Sequence, residues 1–134
     1  MRLEHGLAMD FVLAVSRIGI ASVFWLSGRT KVEGWLDVSD NAVALFRDEY
    51  RLPLIDPAVA AHLAAWSEHL FPLLLVVGIG TRLSALALLG MTIVIEVFVY
   101  PDAWATHLSW AAPLLLLVAR GAGAWSLDRR IGLA

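Results

Sequence analysis

Two oppositely charged residues, Arg17 and Glu68, each lie near the middle of a stretch that is long and apolar enough to cross a bilayer. An unpaired charge at the centre of a bilayer costs at least ~3 kcal/mol, so each charge needs a partner or a function. If residues 9–28 and 57–80 form neighbouring helices whose loop-side ends are level, a rise of ~1.5 Å per residue places both charges at the same depth. The sequence therefore predicts a buried Arg17–Glu68 ion pair, which either locks two helices together or belongs to a functional site.

Three further ionisable side chains are predicted to share one level of the membrane. His62, Glu96 and His107 fall ~7 to 8 Å below the loop-side ends of their helices by the same helical rise. Two imidazoles and a carboxylate from separate helices can ligate a divalent metal or copper ion, or hydrogen-bond to the carbonyls of a quinone. Trp66 and His69 share a helix face with His62. The predicted ligand-binding residues are therefore His62, Trp66, His69 and Glu96, and the predicted metal ligands are His62, Glu96 and His107. The alternative is that these histidines only satisfy neighbouring groups in a helical bundle.

Composition favours a membrane protein. Of the 134 residues, 60% are hydrophobic and 16% are charged, whereas soluble domains have about 25% charged residues. A formal net charge of -2 without a basic run argues against nucleic-acid binding. The absence of cysteine excludes disulfides, thiolate metal sites and thiol redox chemistry, so any electron transfer requires a bound cofactor.

The apolar pattern predicts four membrane-spanning helices near the ~20 residues that cross the hydrocarbon. They cover residues 9–28, 57–80, 83–100 and 104–119. Short connections between the later helices make those neighbours antiparallel. We therefore expect an all-α integral membrane protein, an antiparallel four-transmembrane-helix bundle, in one transmembrane domain over residues 1–134.

The connection between the first two predicted spans, residues 29–56, is too long to be a passive loop in so small a protein. Val43, Phe46 and Tyr50 fall on one helical face, and Ser39 can cap the start of the helix. This spacing predicts a short interfacial helix between helices 1 and 2. A solvated linker is the alternative.

Basic residues favour cytoplasmic termini. Five lie at the end with both termini and four at the opposite end: Arg2, Arg82, Arg120, Arg129 and Arg130 against Arg29, Lys31, Arg47 and Arg51. By the positive-inside rule, this difference predicts that the termini face the cytoplasm.

Three short patterns occur in order along the chain. They are residues 27–35 with Gly28 and Lys31, residues 78–82 with Gly80 and Arg82, and residues 121–128 ending at Asp128. Together with Glu68 and Pro72, they resemble the DoxX family of small four-helix bacterial membrane proteins. The stretch FVYPDAWATHLSW, which contains His107, resembles the subgroup found beside enzymes that make copper-binding modified peptides.

The resemblance implies a multi-pass subunit of a redox or copper-stress system in the bacterial inner membrane. Its predicted partners are the lipid bilayer and a soluble or membrane protein, its candidate ligands are quinone and copper, and a homo-oligomer is compatible with the sequence. An enzymatic activity is neither predicted nor excluded. The alternative function is a noncatalytic membrane scaffold or a small transporter component, in which the same polar groups fix the fold or pass a proton or ion.

The residues of the three patterns themselves have structural interpretations. Gly28, Lys31, Gly80, Arg82 and Asp128 are interpreted as residues that shape and connect the helix ends. In particular, an Arg82–Asp128 pair is predicted to tie the turn between helices 2 and 3 to the C-terminal tail.

Overall fold

The protein is described by a computed structural model over residues 2–133, and it is mostly helical. In chain order its elements are α1 (Arg2–Arg29), β1 (Val32–Glu33), β2 (Asp37–Val38), α2 (Asp40–Leu45), α3 (Pro57–Val77), α4 (Thr81–Val94), α5 (Trp104–Arg120) and α6 (Leu127–Arg130). Two π-helical turns, Phe46–Tyr50 and Ile95–Val99, continue α2 and α4, and a 3-10 turn, Pro101–Ala103, precedes α5.

The long helices α1, α3, α4 and α5 enclose one apolar core. Helix α1 packs against α3 and α5, and α4 packs against the same two helices. The buried core residues are Leu13, Ile20, Ala21, Phe24, Leu75, Ala85, Leu88, Leu114 and Leu117. Every long helix contributes to this core, which holds the polar side chains of the bundle in place.

The outer faces of these helices are apolar and their inner faces carry the charges. Phe11, Ile18 and Leu70 are more than half exposed, whereas Arg17 and Glu68 are 3% and 2% exposed. Such an arrangement suits a lipid surrounding, because large apolar faces in water promote association. The polar groups therefore need partners inside the bundle.

Three helices in the described part of the chain are long and apolar enough to cross a membrane: Gly6–Arg29, Pro57–Val77 and Thr81–Val99. They agree with the first three predicted spans. The predicted fourth span is helical as α5, but α5 has 17 residues and is shorter than those three. A fourth spanning helix and the antiparallel arrangement therefore stay predictions.

The connection between α1 and α3, residues 30–56, is ordered and is called the roof segment here. It begins with a hairpin in which Val32 pairs with Val38, and α2 then starts where the Ser39 hydroxyl accepts a hydrogen bond from Ala42 N at 3.1 Å. Phe46 is buried against Ala60 and Ala61 of α3, with Val43 and Tyr50 packed beside it. The predicted short helix and its apolar face are confirmed, while its place at a membrane interface is not tested.

Candidate functional site

Glu68 forms its ion pair with Lys31. Lys31 Nζ lies 2.8 Å from Glu68 Oε2 and 3.2 Å from Oε1, and it also donates to the Ser27 hydroxyl at 3.1 Å. Both side chains are buried, with Lys31 8% exposed and Glu68 2% exposed. The predicted Arg17–Glu68 pair is wrong, and Lys31, interpreted from sequence as a structural residue, is the partner.

The relative position of α1 and α3 explains why Glu68 pairs with Lys31 and not with Arg17. Gly28, near the end of α1, lies beside Glu68. Glu68 follows Pro57, the first residue of α3, by eleven residues. At ~1.5 Å per residue, α3 therefore begins ~16 Å beyond the end of α1. The sequence-based prediction assumed that the end of α1 and the start of α3 are level. On that assumption Arg17 lies at the depth of Glu68, which the offset between the helices rules out.

Arg17 instead caps the far end of α3. Its Nη1 donates to Leu75 O at 3.2 Å and Val76 O at 3.4 Å, and its Nη2 donates to Trp125 O at 2.7 Å. The last carbonyls of a helix have no partner within the helix and lie at the negative end of its dipole, so a cation there is stabilising. Arg17 therefore joins α3 to the C-terminal tail and takes no part in the Glu68 site.

Asp128 and Arg82 also have other partners than those predicted. Asp128 Oδ1 accepts from Gly80 N at 2.7 Å and Oδ2 accepts from Thr81 N at 2.9 Å, which caps the first turn of α4. Arg82 Nη1 donates to Val118 O and Ala119 O near the end of α5. The predicted Arg82–Asp128 pair is wrong, although each side chain separately links the start of α4 to the C-terminal third of the chain.

The predicted metal site does not assemble. His107 Nδ1 is hydrogen-bonded to Glu96 Oε2, but His62 Nδ1 donates to Ala58 O at 2.7 Å within its own helix. No group of three or more His, Cys, Asp or Glu side chains among the described residues can hold a metal ion. His62 contacts Ala58 and Trp66 of its own helix, so a matching depth does not bring it to Glu96 and His107.

His69 and Trp66 are likewise placed apart from one another. His69 is buried, with Nδ1 donating to Ala65 O at 2.6 Å and its ring edge-on to Trp25 at 4.9 Å. Trp66 is 52% exposed on the outer face, where its ring contacts His62. The helix face that these residues were predicted to share with His62 therefore does not form one common site.

A cavity of about 390 Å³ lies between the roof segment, α3, the end of α4 and the start of α5. Most of its wall is apolar, including Phe46, Met91 and Trp110. Its polar lining residues are Ser27, Lys31, Tyr50, Ser67, Glu68, Tyr100 and His107. Of the predicted site residues, Glu68 and His107 line this cavity, whereas His62, Trp66, His69 and Glu96 do not. Ligand sites commonly combine such an apolar wall with a few polar groups.

Both π-helical turns face this cavity. The turn Phe46–Tyr50 contributes Phe46 and Tyr50, and the turn Ile95–Val99 contributes Ile95 and Val99. Such turns are rare and occur frequently at functional sites, because the extra residue redirects the side chains that follow. Their coincidence at one cavity marks it as the candidate functional site.

Two tyrosines connect the roof segment to the end of α4. The rings of Tyr50 and Tyr100 meet edge-on at 5.5 Å, and Tyr100 Oη donates to Glu49 Oε1. The hydrogen bond to Glu49 raises the pKa of Tyr100 well above its ordinary value, and burial raises the pKa of Tyr50. Both hydroxyls therefore stay protonated at neutral pH. That of Tyr100 donates to Glu49, and that of Tyr50 lines the cavity as a donor.

Sequence reasoning missed Lys31, Tyr50 and Tyr100 as cavity residues. The apolar face of α2 did point Tyr50 towards the bundle, and Lys31 stood in the same short pattern as Ser27, which it contacts. Tyr100 belongs to the stretch FVYPDAWATHLSW, but its contact with Glu49 depends on how the roof segment folds back, which that stretch does not indicate.

The fold and this cavity define the class of the protein: it is a small helical membrane protein with a partly open cavity beneath the roof segment. Residues 12–101 match the DoxX family, so the chain belongs to that family. The matched region contains the roof segment, Lys31 and Glu68. The predicted subgroup associated with copper-binding peptides is not confirmed by this match.

A protein of Haemophilus influenzae, described as an uncharacterized protein, is 33% identical to this chain over 140 residues. The alignment covers 95% of this chain and 87% of the relative. No solved structure matches the chain.

Proposed function

We propose that the protein is a membrane subunit of a redox system and that it binds a quinone headgroup in the cavity beneath the roof segment. The observation that carries the proposal is the composition of the cavity wall, which is mainly apolar with a few polar groups. A quinone is an apolar ring with two carbonyl acceptors, so it matches such a wall. The volume of about 390 Å³ lies within the ~300–1,000 Å³ of typical ligand pockets.

Hydrogen-bond donors stand on more than one side of the cavity. The Tyr50 hydroxyl lies in the roof segment and the Ser67 hydroxyl lies on α3, so donors line the cavity from two elements. The other polar side chains of the wall already have partners: Tyr100 donates to Glu49, Lys31 to Glu68 and Ser27, and His107 Nδ1 is bonded to Glu96. A quinone carbonyl accepts from hydroxyl, ammonium or imidazole N–H groups, and two carbonyls need donors on opposite sides of the ring. This distribution supports a bound ring and leaves the Lys31–Glu68 pair as a nearby source of fixed charge.

The electrons of such a system come from a protein partner. Reduction of a quinone takes two electrons and two protons, and this chain has no cysteine to carry electrons. The ionisable groups of the wall are suited to proton exchange, whereas electron transfer belongs to a cofactor of the partner. The DoxX resemblance supports this division, because the family is named for a membrane subunit of a thiosulfate:quinone oxidoreductase.

In this proposal the chain is one domain in the bacterial inner membrane. Helix α5 is the fourth span, neighbouring helices are antiparallel, and both termini face the cytoplasm. The roof segment then lies on the opposite side, where it covers the cavity. The positive-inside count supports this orientation.

The test is direct binding of a short-chain ubiquinone to the full-length protein in lipid nanodiscs, measured by quenching of tryptophan fluorescence and by native mass spectrometry. Loss of one hydrogen bond of ~0.5–1.5 kcal/mol predicts that Tyr50→Phe weakens binding by about 2- to 12-fold. His107→Ala should also weaken binding, because it removes part of the cavity wall. The matched control is His62→Ala, because His62 lies outside the cavity and bonds only to its own helix.

An absence of quinone binding by the folded wild-type protein would overturn the proposal. It would favour the noncatalytic scaffold, in which Lys31 and Glu68 only join α1 to α3. In that case Lys31→Met would harm stability without changing any ligand response.

A further inference from the structure

We propose that a groove between α4 and α5 holds the hydrophobic tail of the ligand whose headgroup lies in the cavity, with His107 between the two spaces. The inference rests on the proposed quinone-binding function and makes it more specific. It assigns a long-chain quinone as the ligand and the bilayer as the side from which it enters.

The groove lies on the outer face of the bundle beside the cavity. It has a volume of about 270 Å³ and is lined by Leu89, Ile93 and Val97 of the α4 side and by Leu108 and Ala111 of α5. Ile93, Val97 and Leu108 are 55%, 58% and 60% exposed. In a bilayer these side chains face lipid, so the groove is open to an apolar chain that approaches sideways.

His107 is the side chain that the two spaces share. It lines the cavity and it lines the groove. Glu96, on the π-helical turn after α4, holds Nδ1 of the ring from the groove side, while Trp110 packs against the ring at 5.1 Å and lines the cavity. A ligand that reaches from the groove into the cavity therefore passes the imidazole.

Two polar side chains of the groove are already hydrogen-bonded, and most of the rest of its wall is apolar, which favours a tail over a headgroup. The carboxylate of Glu96 is bonded to His107, and Thr92 Oγ1 donates to Leu88 O at 2.9 Å. The remaining surface is mainly apolar. A hydrocarbon chain needs no hydrogen bonds, so it suits this wall, and the polar ring suits the cavity, which the hydroxyls of Tyr50 and Ser67 line.

The experiment compares a tail-less ubiquinone with a decyl-tailed analogue on the full-length protein in nanodiscs. Ala111→Trp places an indole in the groove, and we expect it to weaken binding of the tailed analogue by about tenfold or more through overpacking. Binding of the tail-less compound should stay within about twofold, since the cavity is untouched. Ala112→Trp is the matched control, because Ala112 is the next residue of α5, is exposed, and lines neither space.

If Ala111→Trp does not fold, the same comparison is made with Val97→Trp, which also places an indole in the groove. Independently of any variant, a quinone that carries a photoreactive diazirine at the end of its tail should label residues 89–97 or 108–111 of the wild-type protein. Labelling elsewhere, or equal weakening of both compounds by the groove variant, would overturn the tail site.

The binding results distinguish a failure of the tail site from a failure of the quinone-binding function. If the wild-type protein binds neither compound, the quinone function itself fails. If both compounds bind and the groove variant changes neither, the function stands and the tail site is wrong. Retention of a phospholipid in the groove, seen by native mass spectrometry and undisturbed by the tailed quinone, would also overturn the tail site.

Discussion

A Cβ atom placed on Gly28 would lie 2.9 Å from Cβ of Glu68, so the last turn of α1 presses directly on the middle of α3. Small residues allow two helices to approach closely in a membrane. The close approach brings Lys31, one turn further along the chain, over the Glu68 carboxylate. Gly28 and the ion pair thus belong to one contact between α1 and α3.

We predict that Gly28→Ala lowers the free energy of unfolding by ~1–3 kcal/mol, because the added methyl group has no room. Besides Glu68 Cβ, it would meet the ring of His69 at 3.0 Å. Denaturant unfolding in detergent measures the effect. Gly19→Ala is the control, since nothing lies within 4 Å of that position on the same helix, and alanine there is neutral or slightly stabilising. Equal stability of the two variants would refute the tight contact.

Lys31→Met is predicted to destabilise the protein by ~3–5 kcal/mol, because it leaves the Glu68 carboxylate buried without its partner. Adding Glu68→Gln should restore part of the loss, since the orphaned charge is then removed. Unfolding of the single and double variants measures this coupling. Arg47→Met, which removes an exposed ion pair with Asp48, should cause no measurable change. Additive effects of the two substitutions at Lys31 and Glu68 would show that the pair is not coupled.

Arg17→Met is predicted to loosen the C-terminal tail and to leave the ligand cavity intact. It removes the donor to Leu75 O and Trp125 O, and buried carbonyls without partners cost ~1–3 kcal/mol each. Hydrogen exchange should therefore become faster over residues 121–130. Arg120→Met is the control, because Arg120 is exposed at the end of α5. Faster exchange in the roof segment instead would mean that Arg17 does act on the cavity.

The two tyrosines of the chain are predicted to resist ionisation while the protein is folded. The hydrogen bond of Tyr100 to Glu49 and the burial of Tyr50 raise both pKa values above the ordinary 10.0. The ultraviolet difference spectrum at pH 10 should therefore show little tyrosinate in the folded protein and about half ionisation after unfolding. In the Tyr100→Phe variant only Tyr50 can ionise, so the spectra of this variant and the wild type assign the two titrations.

Stability should respond to alkaline pH in a defined direction. Because the folded pKa values lie above the unfolded ones, the contribution of both tyrosines is fully present below pH 10 and is lost as the pH rises through the folded pKa values. Unfolding midpoints should therefore be insensitive to these groups from pH 7 to 9 and should fall above pH 10. A loss centred below pH 9 would contradict the assignment.

Local features of the fold were predictable because neighbouring residues decide them. The lengths of the apolar stretches predicted the three helices that can cross a membrane. The Ser39 cap and the face of Val43, Phe46 and Tyr50 predicted α2. Hydrophobic periodicity and capping act within a turn or two of helix, so the order of residues is enough to recognise them.

The partners of the charges were decided by tertiary structure. Two helices joined by a long connection can pack at different positions along each other. Here α3 begins ~16 Å beyond the end of α1, so Glu68 lies beside Lys31 and away from Arg17. No local pattern encodes that offset, because the Gly28 contact that sets it joins residues forty positions apart.

The candidate site was partly recognisable from sequence. Glu68 and His107 were identified, since an ionisable residue in an apolar helix is unusual wherever it points. Glu96 was recognised with them, but it lies on a π-helical turn, where the extra residue changes the direction that a regular helix would give. Tyr100 lines the cavity beneath the roof segment and donates to Glu49 of that segment, a contact that no local pattern indicates. The sequence by itself determined which residues are unusual, and the packing of distant segments determined which of them meet.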